Sequence, residues 1–180
     1  MDQEAAVSSE QIGQLCRACG LCCDGSLFSW GQIDGEDDWA VAAGLGFSFV
    51  DEGGKHSLSL PCRHFSGTCT IYGQQRPRVC SDFFCYPIRQ LKRGELAFEQ
   101  VQSLLEQAVM LQRRFVRACG SYPELAGKPV HEVCRHLELV GIPHEEQMAL
   151  RRRYAPLLLL STKLIPLLNE MSFRARPDKT

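Results

Sequence analysis

Eight of the chain's ten cysteines fall between positions 16 and 85, ordered Cys16-x2-Cys19-x2-Cys22-Cys23, then 38 residues (24–61), then Cys62-x6-Cys69-x10-Cys80-x4-Cys85. Two residues between thiolates let a single turn point both sulfurs at one ion, at zinc–sulfur distances of about 2.3 Å. One such pair carries little information. A triple at this spacing, with four more cysteines between positions 62 and 85, is specific for a metal or cluster site. The triple also has the Cys-x2-Cys-x2-Cys run of bacterial ferredoxins, in which a distant cysteine completes the ligand set. Gly20, between two of these cysteines, tolerates positive φ and lets backbone amides approach sulfur. Side chains of the adjacent Cys22 and Cys23 diverge, so they either serve two ions held side by side, or one ligates while the other is a nearby free thiol. Eight sulfurs permit two four-cysteine sites, and the spacing leaves the partition open.

The competing readings are a disulfide framework and a set of small buried hydrophobes. The amino terminus, Met1 to Glu10, is acidic and has neither the basic nor the apolar region of a secretory signal, so a cytoplasmic location is expected. Cytosolic reductants keep thiols reduced, and dense cysteine there reads as metal binding or redox chemistry first. Cys119 and Cys134 lie on predicted helices among apolar neighbours and read as core thiols.

A chain of 180 residues, 44% of them hydrophobic, can bury one ordinary core, or one core with a small satellite stabilised in another way. From Cys16 to Cys85 glycines punctuate the sequence and no long stretch keeps a 3.6-residue apolar period. Short strands are expected at 47–50 and 57–60, with Asp51-Glu52-Gly53-Gly54 as a hairpin turn. Residues 1 to about 14 read as a polar lead-in with a frayed helix at most. Beyond Pro87 the period becomes helical: 95–119 is strongly amphipathic, and further helices are expected at about 129–140, 144–154 and 157–171, the last broken near Pro166. The tail 173–180 is polar and expected to be mobile.

Net charge is −1, which recommends neither nucleic acid nor an anionic membrane as partner. The balance is uneven: residues 1–60 hold ten acids and two bases, residues 61–180 eleven acids and eighteen bases, which hints at a bipolar surface. The most apolar run, 157–168, is twelve residues long and contains Lys163 and Pro166, too short for the roughly 20 residues of a membrane span.

His64 follows Cys62 closely and has the chemistry to replace a cysteine, but with eight thiolates at hand a place beside the ligands or on the surface is favoured. His131 and His136, five apart, do not share a helix face as an i, i+4 metal pair would. Arg63, Arg76 and Arg78 lie among the cysteines, where guanidinium groups would offset the net charge of about −2 on a four-thiolate zinc site; a solvated face is the alternative. Pro77 is expected to fix the local turn, and Tyr72 to pack over the cluster. Asp34, Glu36, Asp37 and Asp38, flanked by Trp30 and Trp39, lack a calcium-loop spacing and read as a solvated surface loop. Arg151-Arg152-Arg153 reads as an exposed helix face. No nucleotide-binding glycine loop, HExxH or GxSxG occurs, so catalysis has no support outside the cysteines.

The run Cys16-Arg-Ala-Cys19-Gly-Leu-Cys22-Cys23, with Cys62-Arg-His-Phe, Cys69-Thr-Ile-Tyr72, Arg76-Pro77-Arg78-Val-Cys80 and Phe84-Cys85, resembles the YkgJ-type cysteine-cluster family, whose signature is CxxCxxCC. The resemblance covers about residues 16–90 and implies a zinc- or iron-chelating domain. Flagellin lysine methylases are similar in this cysteine pattern, which implies a methyl-transfer or redox role by analogy.

The expected fold is mainly α, with an irregular metal-stabilised module: a cysteine-rich half of loops and a short hairpin (residues 1–90) packed as one unit on three or four helices (residues 91–180). The expected function is binding of zinc, iron or an iron–sulfur cluster by Cys16, Cys19, Cys22, Cys23, Cys62, Cys69, Cys80 and Cys85. The alternatives are an iron–sulfur oxidoreductase or methyl-transfer accessory enzyme, a structural zinc module in a protein-interaction scaffold, and a metal carrier or sensor. Beyond the metal ion or cluster, no nucleic-acid or membrane partner is expected.

Overall fold

Ser8 fixes where the first helix begins. Its Oγ accepts from the Gln11 N–H (3.2 Å) and the Gln11 side chain accepts from the Ser8 N–H (2.9 Å), a reciprocal cap at the amino end of α1 (Ser9–Cys19). The computed structural model describes residues 7–52, 55–138, 141 and 143–172. Helix α1 runs five residues beyond the lead-in expected from the sequence and carries Cys16 and Cys19 on its last turn. Two buried apolar side chains, Ile12 and Leu15, hold it down, too few to give a clear helical period.

A three-stranded antiparallel sheet follows, from β1 (Trp30–Gln32), β2 (Phe49–Glu52) and β3 (Lys55–Ser59), in the order β1-β3-β2. The expected hairpin forms as β2–β3 with both strands shifted towards the turn: Asp51 and Glu52, expected in the turn, pair with His56 and Lys55, and Phe49 lies opposite Leu58; Gly53 and Gly54 lie outside the described residues. Strand β1, opposite Ser57 to Ser59, has no periodic signal of its own. Between β1 and β2 runs α2 (Gly35–Gly44). Here the expectation of a solvated acidic loop is corrected. Glu36 and Asp37 are exposed on the first turn of α2, where acids suit the helix dipole, but Asp38 is 6% exposed. Its carboxylate accepts from the Arg78 N–H (2.7 Å) and the Asp34 N–H (3.3 Å), tying α2 to the start of α3 (Arg78–Ser81). A small core of Ile33, Ala42, Phe47, Leu58 and Ile71 fills this lobe.

The rest is helical: α4 (Tyr86–Lys92), α5 (Phe98–Cys119), α6 (Val130–Leu137), α7 (His144–Arg153) and α8 (Ala155–Ser172). Residues 139, 140, 142 and 173–180, within or beside expected helix ends and the expected mobile tail, lie outside the described residues. The expected break near Pro166 is absent; α8 continues to Ser172, because Leu164, Leu168 and Met171 on either side of the proline are buried in the main core. Burial of such side chains contributes about 1.5–3 kcal/mol each, enough to offset a helix proline costing about 3 kcal/mol. The boundary between α7 and α8 falls at Tyr154, close to the expected one. The Tyr154 hydroxyl donates to Glu124 (2.6 Å), Arg153 pairs with Glu124 (2.7 Å), and the Tyr122 hydroxyl donates to the Arg153 carbonyl (3.0 Å).

One large core joins both ends of the chain: Ile12, Leu15 and Leu21 pack with Ile88, Val101, Leu105, Phe115, Val133, Leu157 and Leu164. No helix among the described residues is long and apolar enough to cross a membrane. The fold is mainly helical with a small sheet. Phe115, fully buried at the middle of this core, is expected to cost about 3–5 kcal/mol on truncation to Ala. Val116→Ala, 44% exposed next door, is expected to stay within about 0.5 kcal/mol; equilibrium denaturant unfolding checks both.

Candidate metal centre

Cys16 and Cys19 sit three apart on the final turn of α1, hence on one face. Gly20 ends the helix at φ 66°, its N–H donating to the Cys16 carbonyl (3.1 Å), and a Cβ there would run into the Phe65 ring. No residue but glycine meets both conditions. The chain then turns sharply, with the Cys23 and Asp24 N–H groups both donating to the Gly20 carbonyl (2.8 and 3.0 Å), which carries Cys22 and Cys23 back towards α1.

The helical half grips this turn. Gln112 of α5 donates to Asp24 Oδ2 (3.0 Å), the Ser26 N–H donates to Asp24 Oδ1 (2.8 Å), and the His131 ring of α6 bonds the Gly25 carbonyl (3.1 Å). A backbone bond links the two cysteine runs: the Cys62 N–H donates to the Cys23 carbonyl (2.7 Å). Cys62 and Cys69 flank a tight loop closed by Phe65 N–H to Cys62 carbonyl (3.0 Å) and Thr70 N–H to His64 carbonyl (2.9 Å). His64 bonds the Leu45 carbonyl (3.0 Å) and packs edge-on to Phe47, and Arg63 donates to the Gly46 carbonyl (2.5 Å), so both side chains clamp the loop onto the segment after α2. Cys80 lies on α3, and Cys85 caps the amino end of α4.

All eight cysteines line one cavity of about 1140 Å³. Among the described residues its charged lining is wholly cationic, from Arg17, Arg76, Lys92, Arg93 and Arg135, with no Asp or Glu. All ten cysteines are free thiols. No three described His, Cys, Asp or Glu side chains close into a ready coordination group.

The thiols nonetheless sense one another in two sets. Burial pushes Cys16 up to about 11, with Cys85 adding and Arg76 and Arg17 opposing. Burial takes Cys19 to about 12, against the Leu21 amide and with help from Cys85 and Cys16. Cys22 is raised well above the ordinary thiol range by burial, then by Cys85, Cys19, Cys23 and Cys16. Burial carries Cys23 to about 12, and its neighbours are Cys62, Cys80 and Cys69. Cys80 reaches about 12 through burial and Cys62, opposed by Arg76, with Cys69 adding. Cys62 is raised by burial against the His64 amide, with Cys69 adding. Packing draws the same line: Cys16, Cys19 and Cys85 belong to the main core, and Cys62, Cys69 and Cys80 pack against the small one. Cys119 and Cys134 are in or against the main core, apart from the cavity.

Tyr72 lines the same cavity as the cysteines and carries two guanidinium groups, Arg17 at 4.4 Å and Arg76 at 4.1 Å from its ring centre. Arg78 contributes its backbone amide to Asp38 and has an exposed side chain. The residues missed by sequence reasoning are Asp24, Gln112 and His131 as fasteners, and Lys92, Arg93 and Arg135 on the cavity wall. Only Asp24, directly after the cysteine pair, was within reach of sequence inspection.

No protein-family model, curated protein or solved structure matches the chain.

Burial raises the Asp24 carboxyl, so its charge is held at a cost while its hydrogen bonds are needed. Asp24→Asn keeps one acceptor for the Ser26 N–H and offers a donor that the Gln112 amide can meet by turning over, and without the buried charge it is expected to stay within about 1 kcal/mol of the parent at neutral pH. Asp24→Ala is expected to lose about 1–3 kcal/mol, and thermal unfolding of the two variants side by side checks the contrast.

Proposed function

We propose that this chain is a metal-binding protein that ligates zinc or an iron–sulfur cluster through eight cysteines shared between two four-sulfur centres. Cys16, Cys19, Cys22 and Cys85 would hold the first, and Cys23, Cys62, Cys69 and Cys80 the second. The observation that carries the reading is the convergence of eight thiols, distant in sequence, on one cavity without a carboxylate. Four thiolates suit tetrahedral zinc or a cubane cluster, and the bound centre would supply a cross-link between chain segments that the five-residue core of the sheet lobe cannot. Assigning Cys22 and Cys23 to different centres also resolves the geometry of adjacent side chains that diverge. The motif's resemblance to a zinc- or iron-chelating family supports the same reading, and a reducing compartment such as the cytoplasm would keep the thiols available.

The first set favours iron–sulfur chemistry, because three cysteines two residues apart plus a distant fourth repeat the ferredoxin arrangement. Such a centre would make the protein an electron carrier or part of an oxidoreductase or methyl-transfer enzyme. A zinc-only protein would instead be a scaffold stabilised by colourless closed sites.

Anaerobic isolation followed by elemental analysis and a visible spectrum tests the proposal. Two four-thiolate centres are expected, with brown colour that bleaches on reduction if the first holds a cluster. A protein isolated this way free of metal yet fully folded would refute it. Cys19→Ser and Cys69→Ser are each expected to strip one centre and leave the other, as metal content per chain will show.

Because burial holds Cys16, Cys19, Cys23 and Cys80 protonated up to about 11–12 in the absence of metal, these ligands must shed protons as the ion binds. Protons thus compete with the metal, and affinity is lost as pH falls. Zinc transfer to a coloured chelator is expected to rise steeply between about pH 8 and about pH 5, and calorimetry in buffers of different ionisation enthalpy will count the protons released.

A further inference from the structure

Two half-buried guanidinium groups share one ring: Arg17 and Arg76 lie over Tyr72 at 4.4 and 4.1 Å from its centre. Tyr72 is itself held against α1, where a Cβ on Gly13 would come within 2.5 Å of its hydroxyl. Arg17 has a carboxylate partner, Glu10 at 2.9 Å. Arg76 has none among the described residues and faces the cavity that the eight cysteines line.

A cation in that position, with its aromatic platform but without a counter-ion, calls for negative charge nearby. Resting on the two-centre reading, we propose that Arg76 is the shared counter-charge of both sulfur centres, standing between them and governing above all the binding of the second ion. Through the Tyr72 ring Arg76 meets Arg17, the neighbour of Cys16 on α1, and along the chain it stands just ahead of α3, which carries Cys80; Arg17 has only the first of these positions. Sequence places the centres side by side, since Cys22 and Cys23 are adjacent and the Cys62 N–H is bonded to the Cys23 carbonyl (2.7 Å). Each zinc bound by four thiolates leaves a net charge of −2, so filling the second site sets it against the first. One guanidinium acting on both reduces that repulsion, and its loss weighs most when both sites are full.

Anaerobic titration of the reduced full chain with Zn²⁺ and with Co²⁺ as a coloured substitute tests this. Arg76→Gln is expected to weaken both binding steps, the second by about tenfold or more. In the single-centre backgrounds Cys19→Ser and Cys69→Ser, Arg76→Gln should weaken the remaining site each time, while Arg17→Gln should do so in the Cys69→Ser background alone. Arg76→Lys, which keeps the charge, should recover most of the affinity, a rescue that a purely packing role would not give. Should Arg76→Gln fail to fold, Tyr72→Leu removes the platform without the charge and should weaken both sites, with Tyr72→Phe close to the parent. Titrations of Arg76→Gln that overlay the parent, a loss confined to one background, or no rescue by lysine would each overturn the proposal. Failure of the two-centre reading looks different: the parent chain itself would bind fewer than two ions.

Discussion

With φ at 66° and the Phe65 ring where a side chain would be, Gly20 forces α1 to stop and the chain to double back within three residues. That reversal puts Cys22 and Cys23 beside the last turn of α1, so the carbonyl of Cys23 meets the amide of Cys62. The 38 residues between the cysteine runs are thereby closed into a loop that contains the whole sheet. Moving the turn by one residue would exchange the directions of Cys22 and Cys23 and separate the two runs. The contact runs both ways, because Phe65 itself belongs to the Cys62–Cys69 loop and reaches Gly20 only if that loop is closed.

Polar fasteners hold this arrangement where apolar burial is thin. Asp38 binds the amide that opens α3, Arg63 and His64 reach carbonyls after α2, and Asp24 takes the Gln112 amide from α5. Each spans elements far apart in sequence, and each ends on the backbone or on a buried carboxylate, where losing a partner leaves a group unsatisfied. The sheet lobe, whose own core is five side chains, is thus fixed at its edges to the large helical core. Charge is sorted by the same topology: Glu36 and Asp37 of α2 are exposed, while bases from four separate segments come together on the cavity wall.

Legibility in the sequence followed the length of the periodic signal. Helix α5 spans 22 residues with its apolar positions three and four apart, and its end at Cys119 agrees with the expected one. In α1 only two of eleven positions are buried apolar side chains, so its cap at Ser8 was a better sign than its period. Pro166 misled because propensity is local, whereas Leu164, Leu168 and Met171 are held by the main core. Asp38 misled because an acidic run looks solvated until the Arg78 amide, forty residues on, is brought to one member of it. The cysteine grouping was readable from spacing alone. The division proposed for it was not, since that depends on the turn at Gly20 and on pairings across the sheet lobe.

The balance of burial against nearby cations bears on what the thiols do. Around Cys16 the arginines pull the thiol down, yet burial outweighs them and leaves it at about 11. Cys80, also beside Arg76, is left at about 12. A nucleophilic or redox-sensing cysteine requires the opposite outcome, a thiolate stabilised near neutral pH and open to solvent. Cys16 and Cys80, held neutral and half-buried beside Arg76, lack that thiolate on their own and turn the nearby positive charge to use only when something replaces their protons. A metal ion does this, because it exchanges protons for coordinate bonds at one point and leaves net negative charge on the sulfurs. The arrangement of thiols and arginines therefore fits a ligand set better than a set of independent reactive cysteines.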